Sequence, residues 1–127
     1  MKIMLIDDDR DLCHLTKLIL TKYGYDVAVA LDAAAGLQYA RHYAPNLILM
    51  DVMMPGVGGP DAVKIIQTDP QLKGVPIVFL TALLTGQEND RENQEFNVGG
   101  SNYPALGKPF EIEGLLNIVQ KYSKQNG

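Results

Sequence analysis

Two short and wholly apolar runs each end in aspartate, and this repeated arrangement constrains the fold more than any other feature. Residues 3–6 lead into Asp7, Asp8 and Asp9, and residues 47–50 lead into Asp51, which a Pro/Gly turn follows. A run that is apolar at every position indicates a strand buried on both faces, as in parallel sheets. Carboxylates at the carboxyl ends of such strands lie where open α/β sheets place their ligand sites.

The composition is typical of one globular domain over residues 1–127, with residues 121–127 as a polar tail or the start of a linker. The chain is 46% hydrophobic and 20% charged, with a formal charge of −4. That charge favours neither nucleic acid nor an anionic membrane. No apolar stretch approaches the roughly 18 residues of a membrane span. The single cysteine, Cys13, is expected to be buried and unreactive, and we expect a cytoplasmic location.

Short apolar runs alternate with amphipathic stretches along the chain, which is typical of repeated strand–helix units. Strands are predicted at residues 3–6, 25–31, 47–50, 75–80 and, as a short fifth strand, between 102 and 106. Helices are predicted at residues 12–23, 32–43, 60–69 and 111–122, with a weak or mobile helix in 82–100. In that last stretch Phe96 and Val98 are the predicted core anchors.

Five strands alternating with five helices predict the α/β class, with a doubly wound five-stranded parallel sheet and a flavodoxin-like strand order of 2-1-3-4-5. In that order the first and third strands are neighbours, and their carboxyl ends meet at the point where the chain reverses direction across the sheet. We therefore expect Asp7, Asp8 and Asp51 to converge in one crevice, although they are remote in sequence.

Three clustered carboxylates repel one another and need a positive partner to stay ionised at neutral pH. Mg²⁺ is a hard ion that binds carboxylate oxygens and retains several waters, and it also neutralises charge on a phosphoryl group. A carboxylate that remains free can attack phosphorus as a nucleophile. The cluster therefore predicts a magnesium site combined with phosphoryl chemistry.

Two further strand ends carry polar groups suited to the same chemistry. Thr81 ends the fourth predicted strand with a hydroxyl that can donate to a phosphoryl oxygen. Lys108 follows the fifth predicted strand, where its ammonium can pair with a carboxylate or a phosphate. Together with the carboxylates, these two residues predict a phosphoaspartate site.

At these residues the sequence resembles the receiver domain of bacterial two-component response regulators, of the kind found in the chemotaxis regulator. The resemblance covers nearly the whole chain. Four motifs carry it in order: the apolar run into Asp7-Asp8, Asp51 with Pro55 and Gly59 behind it, Thr81-Ala82, and Lys108-Pro109-Phe110.

The resemblance implies that Asp51 accepts a phosphoryl group from the phosphohistidine of a sensor histidine kinase or a phosphotransfer protein. The Mg²⁺ ligands would be Asp8 directly, Asp7 chiefly through water, Asp51, and the backbone carbonyl of Met53. Such a domain is a signalling switch rather than an enzyme, because it catalyses only its own phosphorylation and dephosphorylation. Its readout would be a partner protein or a missing output domain, without nucleic-acid binding by this domain itself.

In the same resemblance, Thr81 would move toward the phosphoryl oxygen and Lys108 would bridge to it. The family usually has an aromatic switch residue three positions before the lysine, but Ala105 occupies that position here. Tyr103, five positions before the lysine, is the alternative switch residue. The apolar Met53 and Leu83 flank the expected path of the hydrolytic water and predict a comparatively long-lived phosphoaspartate.

Two alternatives come from other functional classes. The run into Asp7 and Asp9 also resembles the first motif of haloacid-dehalogenase-type phosphatases, in which Asp7 would be the nucleophile and Asp9 the general acid. That interpretation leaves Asp51 unexplained and lacks a late pair of carboxylates. The other alternative is a degenerate receiver that acts only as a protein-binding module, which the altered residues before Lys108 leave open.

Overall fold

The computed structural model describes residues 1–52, 56, 58–81, 94–98, 100–108 and 110–126. The strands in this part of the chain are β1 (Lys2–Ile6), β2 (Asp26–Ala30), β3 (Leu47–Asp51), β4 (Ile77–Thr81), β5 (Gln94–Val98) and β6 (Ser101–Gly107). The helices are α1 (Arg10–Lys22), α2 (Ala33–Tyr43), α3 (Gly59–Thr68) and α4 (Ile112–Asn126). Among these described helices, none has the length and apolarity that crossing a bilayer would require.

The six strands form one sheet in the order β2-β1-β3-β4-β6-β5. The first five strands in that order pair in parallel, so the predicted order 2-1-3-4-5 is confirmed, with β6 in the place of the fifth strand. The α/β class and the doubly wound parallel sheet are confirmed as well. The sheet differs from the prediction by one additional strand, β5, which pairs antiparallel with β6 at the edge.

The predicted weak helix in residues 82–100 is wrong over residues 94–98, because these form β5. Only two residues, Gly99 and Gly100, separate β5 from β6, and Gly100 has a φ of +87°. A two-residue Gly-Gly connection is a strong hairpin signal, since positive φ costs glycine little. Val98 is buried, as predicted. Residues 82–93 lie outside the described part of the chain.

Helices cover both faces of the sheet, which gives two hydrophobic cores. On one face, α2 and α3 pack against side chains such as Met4, Met50 and Phe79. On the other face, α1 and α4 pack against Leu5 and Leu49 and their neighbours. Because β1, β3 and β4 are buried on both faces, apolar residues occupy all their positions except Lys2, which begins β1, and Asp51 and Thr81, which end β3 and β4.

Side-chain caps begin the two helices that follow β1 and β2. Asp9 is the N-cap of α1 and its Oδ1 accepts a hydrogen bond from the Leu12 amide at 3.1 Å. Asp32 caps α2 in the same way through the Ala35 amide at 2.8 Å. An aspartate at this position satisfies a backbone donor that the helix itself cannot pair. The two caps lie where α1 and α2 begin, beyond the carboxyl ends of β1 and β2.

Candidate functional site

The acidic residues predicted from the sequence meet at the carboxyl ends of β1 and β3. These strands are neighbours with Ile6 opposite Met50, so the residues that follow, Asp7 and Asp51, come side by side. Asp7, Asp8 and Asp51 each offer a carboxylate oxygen, and these oxygens lie within 4.8 Å of one another. The sheet order therefore brings together a cluster that spans more than forty residues of sequence.

Asp7 is fully buried, and its carboxylate is hydrogen-bonded at both oxygens. Its Oδ2 lies 2.6 Å from the Nζ of Lys108, and its Oδ1 accepts from the Asp9 amide at 3.0 Å. A buried carboxylate needs such partners, because removing a charge from water is costly unless it is paired and hydrogen-bonded. The contact within residues 7–9 is an Asx turn, in which an aspartate side chain accepts from the backbone amide two residues later.

Lys108 lies next to the cluster because β6 pairs with β4 up to the last residue of both strands. Gly107 lies opposite Thr81, and the Lys108 amide donates to the Thr81 carbonyl at 2.9 Å. The Nζ of Lys108 lies 3.4 Å from Oδ2 of Asp51, in addition to its contact with Asp7. Burial opposes the charge of this lysine, but the hydrogen bond and the nearby charges of Asp7 and Asp51 outweigh it and raise the pKa of Lys108. The ammonium is therefore a permanent cation of the site at neutral pH.

Exposure differs among the members of the cluster. Asp8 is exposed, whereas Asp51 is 7% exposed and Thr81 is fully buried at the end of β4. The three carboxylates supply hard oxygen donors, and the exposure of Asp8 leaves solvent access for the waters that Mg²⁺ retains. The residues present therefore fit a magnesium ion.

Cys13 lies on the buried side of α1 and contacts the backbone of the acidic cluster at Asp7. Its side chain is buried, as predicted, and its Sγ donates to the backbone carbonyl of Asp7 at 3.2 Å. Burial first, and then the charges of Asp7 and Asp9, raises the pKa of the thiol to about 11. The thiol is therefore protonated at neutral pH and poorly reactive, because the thiolate is the nucleophilic form.

Tyr103 is not brought to the cluster. It lies on β6 four residues before Gly107, which is about 13 Å along the strand. Its ring packs edge-on against Phe79, with centroids 5.8 Å apart, and its hydroxyl accepts a hydrogen bond from the Gln67 side chain of α3. Ala105, at the position where the resemblance led us to expect an aromatic residue, is fully buried next to Phe79. The sequence did not single out Gln67, because its only signal is a polar side chain on an exposed helix face.

The Asp9 carboxylate is engaged as the N-cap of α1, which does not favour a role as a general acid. Several residues named from the sequence lie outside the described part of the chain, so their predictions stay predictions: Met53, Pro55, Ala82, Leu83 and Pro109.

Residues 3–120 match the family model described as the response regulator receiver domain. The DNA-binding response regulator MtrA of Mycobacterium tuberculosis is 38% identical over 125 residues, which are 98% of this chain and 51% of that protein. The chain spans about half the length of the curated relatives that it matches.

Solved structures give the same assignment. The chemotaxis protein CheY4 of Vibrio cholerae is 30% identical, with a TM-score of 0.79 over 95% of this chain and 97% of that chain. The receiver domain of the sensor histidine kinase PA1611 from Pseudomonas aeruginosa PAO1 is 28% identical, with a TM-score of 0.78 over 95% of each chain. That structure has a magnesium ion coordinated in its active site cleft.

Proposed function

This chain belongs to the response regulator receiver domain family, and we propose that Asp51 is the residue that accepts its phosphoryl group. One observation carries the proposal: Asp51 ends β3 inside a crevice where the Lys108 ammonium lies 3.4 Å away and two more carboxylates lie within 4.8 Å. That constellation combines a nucleophile, a cation and a donor set for a metal ion. It supports phosphoryl acceptance better than either alternative, because neither of them uses Asp51.

In this proposal a carboxylate oxygen of Asp51 attacks the phosphorus of a phosphohistidine. An oxygen–phosphorus bond forms while the nitrogen–phosphorus bond of the donor breaks, and its electron pair leaves with the imidazole. The Lys108 ammonium pairs with the negative charge of the phosphoryl oxygens. The Thr81 hydroxyl, at the end of the neighbouring strand, donates to one of those oxygens.

The carboxylates of Asp7, Asp8 and Asp51 would hold Mg²⁺, and the backbone carbonyl of Met53 is a further proposed ligand. When bound, the ion supplies positive charge that offsets the charge of the transferred phosphoryl group. Lys108 and the metal ion would together offset the negative charges of Asp7, Asp8 and the phosphoryl group on Asp51. The exposed Asp8 is the carboxylate most open to the metal and its waters.

The proposed partners are a sensor histidine kinase or a phosphotransfer protein in the cytoplasm as the donor, and an output domain or a separate protein as the receiver of the signal. The relative MtrA is a DNA-binding regulator of about twice the matched length, which supports an output domain. DNA binding would then belong to that other domain, since this one has a formal charge of −4.

Thr81 and Tyr103 are the proposed switch residues. The ring of Tyr103 contacts Phe79, which lies two residues before Thr81 in β4, so a displacement of β4 would reach Tyr103 by direct packing. Fluorine NMR of the protein labelled with fluorotyrosine tests this packing contact. The resonance of Tyr103 is assigned as the one that is missing from the Tyr103→Phe variant. We expect beryllofluoride with Mg²⁺ to shift that resonance, and an unchanged resonance in a phosphoryl-loaded protein would exclude Tyr103 as a switch.

Incubation with acetyl phosphate, with and without Mg²⁺, tests the function itself. We expect the intact mass to increase by one phosphoryl group in the presence of Mg²⁺, and the Asp51→Asn variant to show no increase. Asp61→Asn, which removes an exposed carboxylate from α3, is the matched control and should be phosphorylated normally. An Asp51→Asn protein that still acquires the phosphoryl group would contradict the assignment and favour Asp7 as a phosphatase nucleophile.

A further inference from the structure

We propose that the Cys13 thiol is a positioning residue for the acidic cluster, because it holds the peptide bond that joins Asp7 to Asp8. This inference rests on the proposed function, in which those two aspartates are metal ligands. Cys13 touches neither the phosphoryl donor nor the metal in this proposal, and it acts through the backbone of Asp7.

The hydrogen bonds around Asp7 give the thiol this role. The Asp7 amide donates to the Ala30 carbonyl of β2 at 3.1 Å, and its carboxylate oxygens bind Asp9 and Lys108. The Asp7 carbonyl lies one residue beyond the end of β1, and the Sγ of Cys13 donates to it at 3.2 Å. Both groups are buried, with Cys13 2% exposed and Asp7 fully enclosed, so water does not compete for the bond.

The geometry of the peptide explains why this bond matters for the metal ligands. A peptide unit is planar, so fixing the direction of the Asp7 carbonyl also fixes the direction in which the chain enters Asp8. The Asp7 carboxylate is already held by Lys108 and by the Asp9 amide. The Asp8 side chain is exposed, and its position relative to Asp7 depends on the peptide that the thiol holds.

A second hydrogen bond from Cys13 also connects α1 to the acidic residues. The Cys13 amide donates to the Asp9 carbonyl at 3.0 Å, so the amide and the side chain of one residue bind the two ends of the acidic segment 7–9. Movement of α1 would therefore change the orientation of the two proposed metal ligands together. Other buried residues of α1, such as Thr16 and Leu20, pack in the core without a hydrogen bond to this segment in the described residues.

Calorimetric titration with Mg²⁺ alone tests the proposal on the folded protein. We expect Cys13→Ala to bind Mg²⁺ about two- to fivefold more weakly, the effect of losing one weak neutral hydrogen bond. Cys13→Ser retains a donor and should restore the affinity to within about twofold of the starting protein. Thr16→Ala is the control, because it truncates a buried side chain one turn further along α1 without removing a bond to the acidic segment.

The S–H stretching band supplies an independent readout, since the chain has a single cysteine. We expect this band to lie at lower frequency in the folded protein than in denaturant, and to shift when Mg²⁺ binds. A role limited to filling space would leave the band unmoved by the metal ion.

The outcomes separate this inference from the proposed function. If the starting protein binds no Mg²⁺ and is not phosphorylated, the proposed function fails and the inference fails with it. If the starting protein binds Mg²⁺ but Cys13→Ala binds it equally well, only the inference is overturned. Equal weakening in Cys13→Ala and Cys13→Ser would also overturn it, because packing rather than hydrogen bonding would then be responsible.

Discussion

At the scale of single residues, the charge balance of the crevice depends on Lys108. Its ammonium contacts Asp7 at 2.6 Å and Asp51 at 3.4 Å, and its side chain is 19% exposed. Removing the lysine from such an ion pair lowers the free energy of unfolding, because the carboxylate that remains is buried with its charge uncompensated. Lys108 therefore stabilises the folded chain as well as forming part of the proposed phosphoryl site.

Replacing Lys108 by Met, which keeps most of the stem, should lower the free energy of unfolding at pH 7 by about 2 kcal/mol in the absence of Mg²⁺. The pKa of Lys108 is raised above its ordinary value of 10.5, so its stabilisation is complete below that pH and is lost as the pH rises through the higher folded value. We therefore expect the stability difference between the two proteins to shrink above pH 10.5. Urea unfolding of both proteins at several pH values from about 7 to 11.5 measures this difference in the free energy of unfolding.

Lys121→Met is the control, since Lys121 is exposed on α4. Tyr43 and Tyr122, whose pKa values are raised chiefly by burial, titrate equally in all three proteins and cancel in the comparison. A Lys108 variant with unchanged stability at pH 7 would contradict the charge-balance argument.

Thr16 offers a second test at this scale. It is 1% exposed, and its Oγ1 has no hydrogen-bond partner among the described residues. Valine has the same branched shape without the hydroxyl, so Thr16→Val should raise the free energy of unfolding by about 1 kcal/mol. The exposed Thr21 lies on the same helix, and Thr21→Val should change stability by less than about 0.5 kcal/mol. Destabilisation by Thr16→Val would reveal a partner for the hydroxyl in solution.

At the scale of secondary-structure elements, the close approach of α2 to β1 depends on a glycine. A Cβ added at Gly36 would lie 2.6 and 2.7 Å from two side-chain carbons of Ile6 and 3.3 Å from the Cβ of Ala30. Ile6 is fully buried and has little room to move. This contact sets how near α2 lies to the strand that carries the acidic cluster.

Gly36→Ala should therefore destabilise the protein by about 1 kcal/mol, because overpacking outweighs the better helix propensity of alanine. Gly74 is the matched control, since a Cβ there would meet nothing within 4 Å. Its substitution by Ala should be nearly neutral in thermal unfolding. A Gly36→Ala protein as stable as the Gly74→Ala protein would show that Ile6 can repack at little cost.

At the scale of the whole molecule, the strands that form the hydrophobic cores are the same strands that position the proposed metal ligands. The strands β1, β3 and β4 carry the buried residues of both cores, and Asp7, Asp51 and Thr81 lie at or just beyond their carboxyl ends. In the unfolded chain these acidic residues are far apart, because only the folded sheet brings them together. Metal binding at this site is therefore expected to favour the folded state.

Mg²⁺ should raise the free energy of unfolding, by about 2.7 kcal/mol when its concentration is one hundred times its dissociation constant. Asp8→Asn should lose most of this gain because it removes the most exposed carboxylate of the cluster. Asp11→Asn removes an exposed carboxylate from the first turn of α1 and should keep the gain. Thermal unfolding across a series of Mg²⁺ concentrations measures the effect, and a midpoint insensitive to Mg²⁺ would count against the site.

The local patterns of the sequence predicted most of the architecture. Three apolar runs and the segment 25–31 predicted four of the parallel strands to within two residues at each end, and the fifth was expected between residues 102 and 106, inside β6. The N-caps Asp9 and Asp32 lie at the starts of α1 and α2. Such features depend on neighbouring residues, because periodicity and capping act over one or two turns. The hairpin signal at Gly99-Gly100 was equally local, but the polar residues around it led to the wrong prediction of a helix.

The sequence pattern was enough to show which strands end in acids, and therefore which chemistry the site can support. The folded arrangement was needed to show that Lys108 pairs with Asp7, 101 positions away, and that Cys13 donates to the Asp7 carbonyl. It also placed Tyr103 against Phe79 and Gln67, away from the strand ends. These contacts depend on strand order and register, which bring remote residues together and which the pattern of a single segment does not specify.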